Sequence, residues 1–305
     1  MIDLSVDLGK GLVLRNPLLP ASGTFGFGDE VPELHLLEGY GGLITKSITL
    51  QPRKGNPPPR IAETMGGMLN SIGLANPGLE GLLQVKAAFY AKLDIPVIVN
   101  IAGNSIEEYQ HLAAQLDDLT WVAGLEVNVS CPNVREGSIE FGKDARVLGN
   151  LVRLVRRATS KFLIVKLTPN VTDIVALARS AEENGADAVA LINTVYGAAI
   201  DIYTRRPKIH TIVGGYSGPA IKPIAIAQII KVFPKIKIPI IGVGGIMTGV
   251  DVVEFMLAGA RAVQLGTVNF YHPRASIEIL EFLRKYCEQQ GIECLSTLVG
   301  GWQAD

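Results

Sequence analysis

The stretch from Asn128 to Asn133, Asn-Val-Ser-Cys-Pro-Asn, carries the residue types best suited to chemistry. It places the thiol of Cys131 between carboxamides, directly after an apolar run that ends at Val127. Such a run is typical of a buried strand, and the proline indicates where the strand has ended. A thiol there can act as a base or a nucleophile, and carboxamides can orient a flat polar ligand. Taken alone, Cys131 is also compatible with a small buried apolar side chain, which is what most cysteines are.

Polar or glycine residues end the other apolar runs of the chain as well. The full set is Ser22-Gly23, Lys46-Ser47, Asn100, Asn128 with Cys131, Lys166, Asn193-Thr194, Gly244-Gly245 and Gly266-Thr267. That loops are polar explains the serines, threonines and glycines. It explains Lys46 and Lys166 poorly, because lysine is rarely placed at the end of a buried strand without an anionic partner. Together with the asparagines, the two lysines predict an anionic ligand rich in hydrogen-bonding groups.

The glycines of Ile241 to Ile246, followed by a helix start at Thr248, have the form of a phosphate site. Glycines let the backbone approach an anion, and the N–H groups of a helix start point at it. A tight turn that merely requires glycine is the alternative. The G-x-G-x-x-G spacing is absent, since Met247 follows where a third glycine is needed, which disfavours a nicotinamide dinucleotide fold in this chain.

Eight short runs rich in β-branched residues predict the strands that position these groups. They are 17–21, 42–46, 96–100, 125–129, 162–167, 188–192, 239–243 and 262–265. The runs are apolar almost throughout, which indicates strands buried on both faces of a parallel sheet. With helical patterns between many of them, they predict an α/β (β/α)8 TIM barrel, with a doubly wound open sheet as the alternative.

Residues 1–305 are expected to form one domain, with small insertions at about 47–80 and 194–222 covering the carboxyl face of the barrel. Capping signals predict several helix ends. Thr172 is expected to cap the helix that stops at Gly185, and Thr248 with Asp251 forms a capping box.

Composition excludes several classes of protein. The formal net charge is −1 with no block of like charges, so nucleic acid is not an expected partner. No transmembrane or targeting segment is visible, so no membrane association is expected. The three cysteines form neither a disulfide framework nor a metal motif, which favours a reducing cytoplasm and disfavours an iron–sulfur or zinc site in this chain.

From about Asn16 to about Phe270, the chain resembles the class 1 dihydroorotate dehydrogenases, and most closely the catalytic flavin subunit of class 1B. The motifs that carry the resemblance are 21–25 (ASGTF), 45–47 (TKS), 69–74 (LNSIGL) with 76–78 (NPG), 128–133, 165–170 (VKLTPN), 192–194 (INT), 214–220 (GGYSGPA) and the two glycine turns. Softer features, 59–64 and 198–201, favour class 1B over class 1A. Tyr196 and Ala198 depart from the expected pattern.

The resemblance implies FMN in the barrel mouth and dihydroorotate stacked on its isoalloxazine ring. The implied FMN contacts are Ser22, Gly23, Lys46, Ser47, Asn100, Asn128, Lys166, Ile192, Gly218, Gly244, Gly245, Gly266 and Thr267. The implied substrate contacts are Lys46, Asn70, Ser71, Ile72, Gly73, Leu74, Asn128, Asn133, Asn193 and Thr194. Lys46 and backbone N–H groups at 72–74 suit the orotate carboxylate, and Lys166 suits the N1/O2 edge of a reduced flavin.

The resemblance also implies a mechanism and a partner. Cys131 would remove the C5 proton while C6 delivers hydride to flavin N5, beneath a lid formed by the loop 132–142. Electrons would pass to NAD through a second subunit with FAD and a [2Fe–2S] cluster, in a heterotetramer built on a homodimer of this chain. The alternatives are a fumarate-dependent class 1A enzyme, another FMN barrel reductase acting on a pyrimidine, and a non-catalytic barrel that binds flavin or phosphate.

Overall fold

A computed structural model describes residues 2–30, 34–130 and 141–303 of the chain. Its centre is a sheet of eight parallel strands: β1 (Leu18–Pro20), β2 (Leu43–Ile44), β3 (Val97–Ile101), β4 (Val122–Asn128), β5 (Phe162–Leu167), β6 (Ala188–Leu191), β7 (Ile240–Val243) and β8 (Ala260–Leu265). The strands lie in the order β1-β8-β7-β6-β5-β4-β3-β2. At the two ends of this sheet, the Gly41 N–H donates to the Leu18 carbonyl at 2.8 Å. The arrangement is the predicted (β/α)8 barrel.

Helices follow the strands along the chain. They are α1 (Gly78–Gly81), α2 (Ala87–Tyr90), α3 (Ile106–Asp117), α4 (Ala145–Ala158), α5 (Ile174–Glu183), α6 (Lys222–Val232), α7 (Gly249–Ala258), α8 (Val268–Tyr271) and α9 (Ala275–Gln290), with a π-helical turn at Leu82–Lys86 and 3-10 turns at Leu34–Gly39, Pro219–Ile221, Phe233–Lys235 and Leu295–Leu298. Within the described ranges, no helix combines the length and apolarity needed to cross a bilayer.

Alternation along each strand divides the core into two layers. On β5, Leu163, Val165 and Leu167 pack in the layer shared with the helices, whereas Phe162 and Ile164 belong to a second cluster inside the barrel. Because successive side chains of a strand point to opposite faces, both faces of the sheet are buried, which is why the runs lack polar alternation.

The two predicted insertions pair with each other. Val195–Ala198, Val213–Ser217, Gly67–Asn70 and Ile61–Thr64 form one antiparallel sheet, in that order. Asn170, just after β5, donates to the Thr194 carbonyl at 3.0 Å and accepts from the Tyr196 N–H at 2.9 Å. These bonds attach the small sheet to the carboxyl end of the barrel.

Two short hairpins complete the fold. Ile200–Asp201 pairs with Arg206–Pro207 beyond the small sheet. Val6–Asp7 pairs with Val13–Leu14, and the apolar side chains of this second hairpin join the cluster inside the barrel. The second hairpin therefore contributes apolar side chains to the barrel interior.

One predicted helix start is confirmed, and one is wrong. The Thr248–Asp251 capping box is present at the start of α7. The cap of α5 is Asp173 and not Thr172, since the Asp173 carboxylate accepts from the Ala176 N–H at 3.0 Å. Both residue types can cap a helix, so only the backbone at the helix start distinguishes them.

Candidate active site

The carboxyl ends of the strands bring most of the predicted polar residues together. Asn128 on β4 is in register with Lys166 on β5. Asn193, which follows β6, donates from Nδ2 to Asn128 Oδ1 at 3.3 Å. From the small sheet, Asn70 Nδ2 donates to the Gly215 carbonyl at 3.3 Å, and Gly215 lies against the Thr194 hydroxyl. Three of the predicted asparagines, Asn70, Asn128 and Asn193, thus converge on the mouth of the barrel from three separate segments.

Lys46 stands at the end of β2 and is half-buried. Burial lowers the pKa of its ammonium group; the nearby charge of Glu30 opposes this shift and that of Arg60 adds to it. Removing a cation from water disfavours its charged form, so an anionic ligand at this position would be bound by a poorly hydrated charge. Lys46 is therefore suited to receive a carboxylate.

Lys166 has a partner that the sequence analysis missed. Its ammonium lies 3.8 Å from Glu126 Oε1 and donates to Gln264 Oε1 at 2.8 Å. Glu126 is fully buried on β4 and also accepts from Asn100 Nδ2 at 2.6 Å. Glu126 thus supplies Lys166 with an anionic partner from within the chain, and the FMN contact of Lys166 stays a prediction. The available signal was alternation: Glu126 stands two residues before Asn128 and so faces the same side of β4.

One buried acceptor of this cluster has no partner. Among the residues that the structure describes, Asn100 Oδ1 is buried and accepts no hydrogen bond, and the same holds for the hydroxyls of Ser71 and Ser130. Buried polar atoms are normally paired, so each unpaired one requires an explanation, and a bound polar ligand is one.

The glycine turns differ in what surrounds them. Gly245 has φ +75°, and a Cβ there would lie 2.7 Å from the backbone nitrogen of Lys222, so the protein itself requires glycine at this position. Among the described residues, the nearest atom to such a Cβ at Gly266 is 3.6 Å away, and none lies within 4 Å of one at Gly23. The space beside the last two glycines is open to a ligand. The remaining predicted positions of this region are Gly218 and Gly244, both with positive φ, and Thr267, which donates to the Ser217 hydroxyl at 2.8 Å.

The segment 71–74 is held in an unusual conformation. Leu74 has φ +55°, a value that costs an L residue of order 1 kcal/mol or more. Two asparagines brace the segment: Asn56 Nδ2 donates to the Ser71 carbonyl at 3.0 Å, and Asn76 Nδ2 donates to the Leu74 carbonyl at 2.7 Å. Maintained strain of this kind is common at ligand sites. Asn56, like Glu126 and Gln264, was not predicted from the sequence.

The other predicted residues fall in different places. Ser22 and Ile72 are half-buried, and Ser47 and Ile192 are buried. Gly73 takes φ +73° beside Asn56.

Cys131, Asn133 and the proposed lid up to residue 140 lie outside the described residues. The described residue next to them, Ser130, donates its N–H to Asn128 Oδ1 at 3.2 Å.

Comparison with known proteins places the chain in a family. The family model described as dihydroorotate dehydrogenase matches residues 4–286. Relatives named dihydroorotate dehydrogenase B (NAD(+)), catalytic subunit, include those of Geotalea uraniireducens, 52% identical over 98% of this chain and 97% of the relative, and of Pelobacter propionicus, 51% identical over 98% of each. The relative of the same name from Geobacter metallireducens is 50% identical over 99% of this chain and 98% of its own length. The chain therefore belongs to the dihydroorotate dehydrogenase family.

Proposed function

We propose that this chain oxidises (S)-dihydroorotate to orotate in pyrimidine synthesis, with FMN as its cofactor and NAD as the final acceptor. The observation that carries the proposal is identity of about half over nearly the whole chain to proteins whose name states this reaction and this acceptor. The class 1A alternative, with fumarate, is disfavoured because these relatives are named as the NAD(+) enzyme.

The residues of the barrel mouth fit FMN. The open space beside Gly23 and Gly266 suits close approach of a phosphate to the backbone. Asn100 Oδ1 is an acceptor without a partner in the described part of the chain, and Lys166 is a buried cation. An acceptor complements the N3–H of the isoalloxazine ring, and a cation complements its N1/O2 edge. We assign FMN contacts to the thirteen positions that the family resemblance implies.

Substrate binding follows from the same mouth. Lys46 and the braced backbone of Gly73 and Leu74 would bind the carboxylate of dihydroorotate. Asn70, Asn128 and Asn193, together with Thr194 and with Asn133 of the loop, would orient the pyrimidine ring through donors and acceptors. Such orientation lowers the barrier because the reacting atoms are held in place before reaction.

The chemistry requires loss of a proton from C5 and of a hydride from C6. We assign the proton to the thiolate of Cys131, which acts as general base. FMN, when bound, supplies the hydride acceptor. The loop that follows Cys131 would exclude water from this step.

We further propose a partner subunit that carries FAD and a [2Fe–2S] cluster, in a heterotetramer of two copies of each chain. The support is that the relatives are named catalytic subunits. A homodimer of this chain is proposed at its core. Its support is exposed apolar side chains on the insertion 194–222, most of all on Tyr203, which is 90% exposed, and Ile202, 75% exposed. Clustered exposed apolar side chains mark interaction surfaces.

The test is an absorption spectrum of the purified chain, followed by anaerobic addition of L-dihydroorotate. A flavin spectrum that bleaches on addition supports both cofactor and substrate. A flavin that does not bleach contradicts the substrate, and no flavin after incubation with FMN contradicts the site. NADH formation only after an iron–sulfur flavoprotein subunit is added would support the partner, whereas reduction of fumarate by the chain alone would contradict it.

A further inference from the structure

Four buried side chains from four strands form one network inside the barrel, just below its mouth. Glu126 Oε1 accepts from Asn100 Nδ2 at 2.6 Å, and Glu126 Oε2 accepts from Gln264 Nε2. Gln264 Oε1 in turn accepts from Lys166 Nζ at 2.8 Å, and Lys166 lies 3.8 Å from Glu126. Asn100, Glu126 and Gln264 are fully buried.

The carboxylate determines which way both amides turn. An ionised carboxylate only accepts hydrogen bonds, whereas each amide has one donor end and one acceptor end. Asn100 must therefore direct Nδ2 to Glu126, which leaves Oδ1 as the unpaired acceptor. Gln264 must direct Nε2 to Glu126, which leaves Oε1 to hold Lys166.

Packing alone does not account for a carboxylate at this position. Burying an ionised group is costly, and an apolar side chain of similar volume often stabilises a core as well or better. Of its register partners on the adjacent strands, Asn100 on β3 is the amide that it binds, and Ile164 on β5 is apolar. The acid must therefore be explained by what it does to Asn100 and Lys166.

We propose that Glu126 is a positioning residue for the isoalloxazine ring. It turns the Asn100 side chain so that its acceptor oxygen faces the ring, and through Gln264 it holds Lys166 in place as a cation. The ends of β3 and β5 therefore offer the ring edge one hydrogen-bond acceptor and one cationic donor. This inference rests on the proposed function, because it requires FMN at the barrel mouth.

Two substitutions separate this role from packing. Glu126→Gln keeps the size of the side chain but gives it a donor, so either Asn100 or Gln264 must turn round and one contact to the ring is lost. Glu126→Asp is shorter by one methylene but remains a charged acceptor. If Glu126 positions Asn100 and Lys166, the Glu126→Asp variant should retain FMN affinity better than Glu126→Gln. If Glu126 only fills space, the order should be reversed.

The experiment measures FMN dissociation constants of the apoproteins by quenching of flavin fluorescence, with thermal unfolding of each apoprotein alongside. We expect Glu126→Gln to weaken FMN binding about tenfold or more, as for a buried polar group left without its partner, and Glu126→Asp by clearly less. Ile164→Val, on the residue in register with Glu126, is the matched control and should leave FMN affinity within about twofold while lowering stability.

A Glu126→Gln variant that binds FMN as tightly as the wild type, or more tightly than Glu126→Asp, overturns the inference. If Glu126→Gln does not fold, Gln264→Leu removes the hydrogen-bonded link from Glu126 to Lys166, and unchanged FMN affinity in that variant overturns the inference equally. A wild-type apoprotein that binds no FMN contradicts the proposed function itself, whereas wild-type binding with insensitive variants contradicts only the role of Glu126.

Discussion

The barrel interior has a lower half, towards the amino ends of the strands, and an upper half, at their carboxyl ends. The two halves are built from the same strands but differ in chemistry. On β3, Ile98 points into the barrel and is followed two residues later by Asn100; on β5, Ile164 is followed in the same way by Lys166. Two residues of strand advance the chain by roughly 6.6 Å. Within that distance the interior changes from an apolar cluster to a network of amides and charges.

This contrast shows how the fold separates stability from function. The lower half has apolar side chains that interdigitate with those of the hairpin at 6–14, and its contribution is hydrophobic burial. The upper half contains buried polar groups that are costly unless partnered, and a barrel can maintain them because the lower half holds the strands in register. Substitutions in the two halves should therefore affect different measurements.

The largest effect is expected from Cys131→Ala, at the proposed general base. Loss of a general base lowers the rate of flavin reduction by dihydroorotate by about 10² to 10⁴-fold, with little change in unfolding temperature. Stopped-flow absorbance of the flavin measures this rate. Cys294→Ala is the control and should react at the wild-type rate. Wild-type kinetics in the Cys131 variant would contradict the proposed base.

In the lower half, Phe162→Ala should lower stability and leave FMN binding unchanged. Phe162 is buried inside the barrel, and its truncation should lower the free energy of unfolding by about 3–5 kcal/mol through lost burial and a residual cavity. Denaturant unfolding of the apoprotein measures this loss. The folded fraction should retain wild-type FMN affinity, and a large loss of that affinity would show that the two halves are not separable.

The pH dependence of substrate binding should identify Lys46. Its lowered pKa means that it loses its charge at a lower pH than an ordinary lysine, so affinity for the dihydroorotate carboxylate should fall as pH rises through that pKa. Lys46→Arg remains charged over the same range and should lose this decline, whatever its absolute affinity. Titrating the oxidised enzyme with orotate, the product, at increasing pH tests this. If orotate affinity falls with pH in the same way in the wild type and in Lys46→Arg, Lys46 is not the titrating group.

The smallest effect concerns the helix start behind the glycine turn of Gly244 and Gly245. Thr248→Ala removes part of the capping box of α7 and should lower stability by about 1 kcal/mol, with a modest loss of FMN affinity. Ser105→Ala, at the cap of α3, should lower stability similarly without changing FMN affinity. Equal FMN affinities in both variants would argue against a phosphate site at this turn.

Much of the fold could be predicted because the signal is local. Runs that are apolar on both faces predicted all eight barrel strands, although β4 begins at Val122 and β8 at Ala260, both earlier than expected. Strand ends depend on pairing with neighbours, which a single run does not specify. Asp173 was likewise missed as a cap because Thr172 has equal capping chemistry.

Much of the candidate site could also be predicted from the sequence, but the hydrogen bonds and ion pair among its buried residues could not. Lys46, Asn100, Asn128, Lys166 and Asn193 stand out as polar groups after apolar runs. Glu126 and Gln264 do not, because a single polar residue within an apolar run is not distinctive. The roles of Cys131 and Asn133 stay predictions.

The sequence by itself determined the parallel strands, the polar residues at their ends and the family to which the chain belongs, because these depend on local pattern and on motifs. Only the tertiary structure decided that the two insertions form one sheet and that Lys166 forms an ion pair with Glu126. The reason is physical. Gln264 on β8 is far along the chain from Glu126 and Lys166, and its hydrogen bonds to them exist only once the barrel brings these strands together.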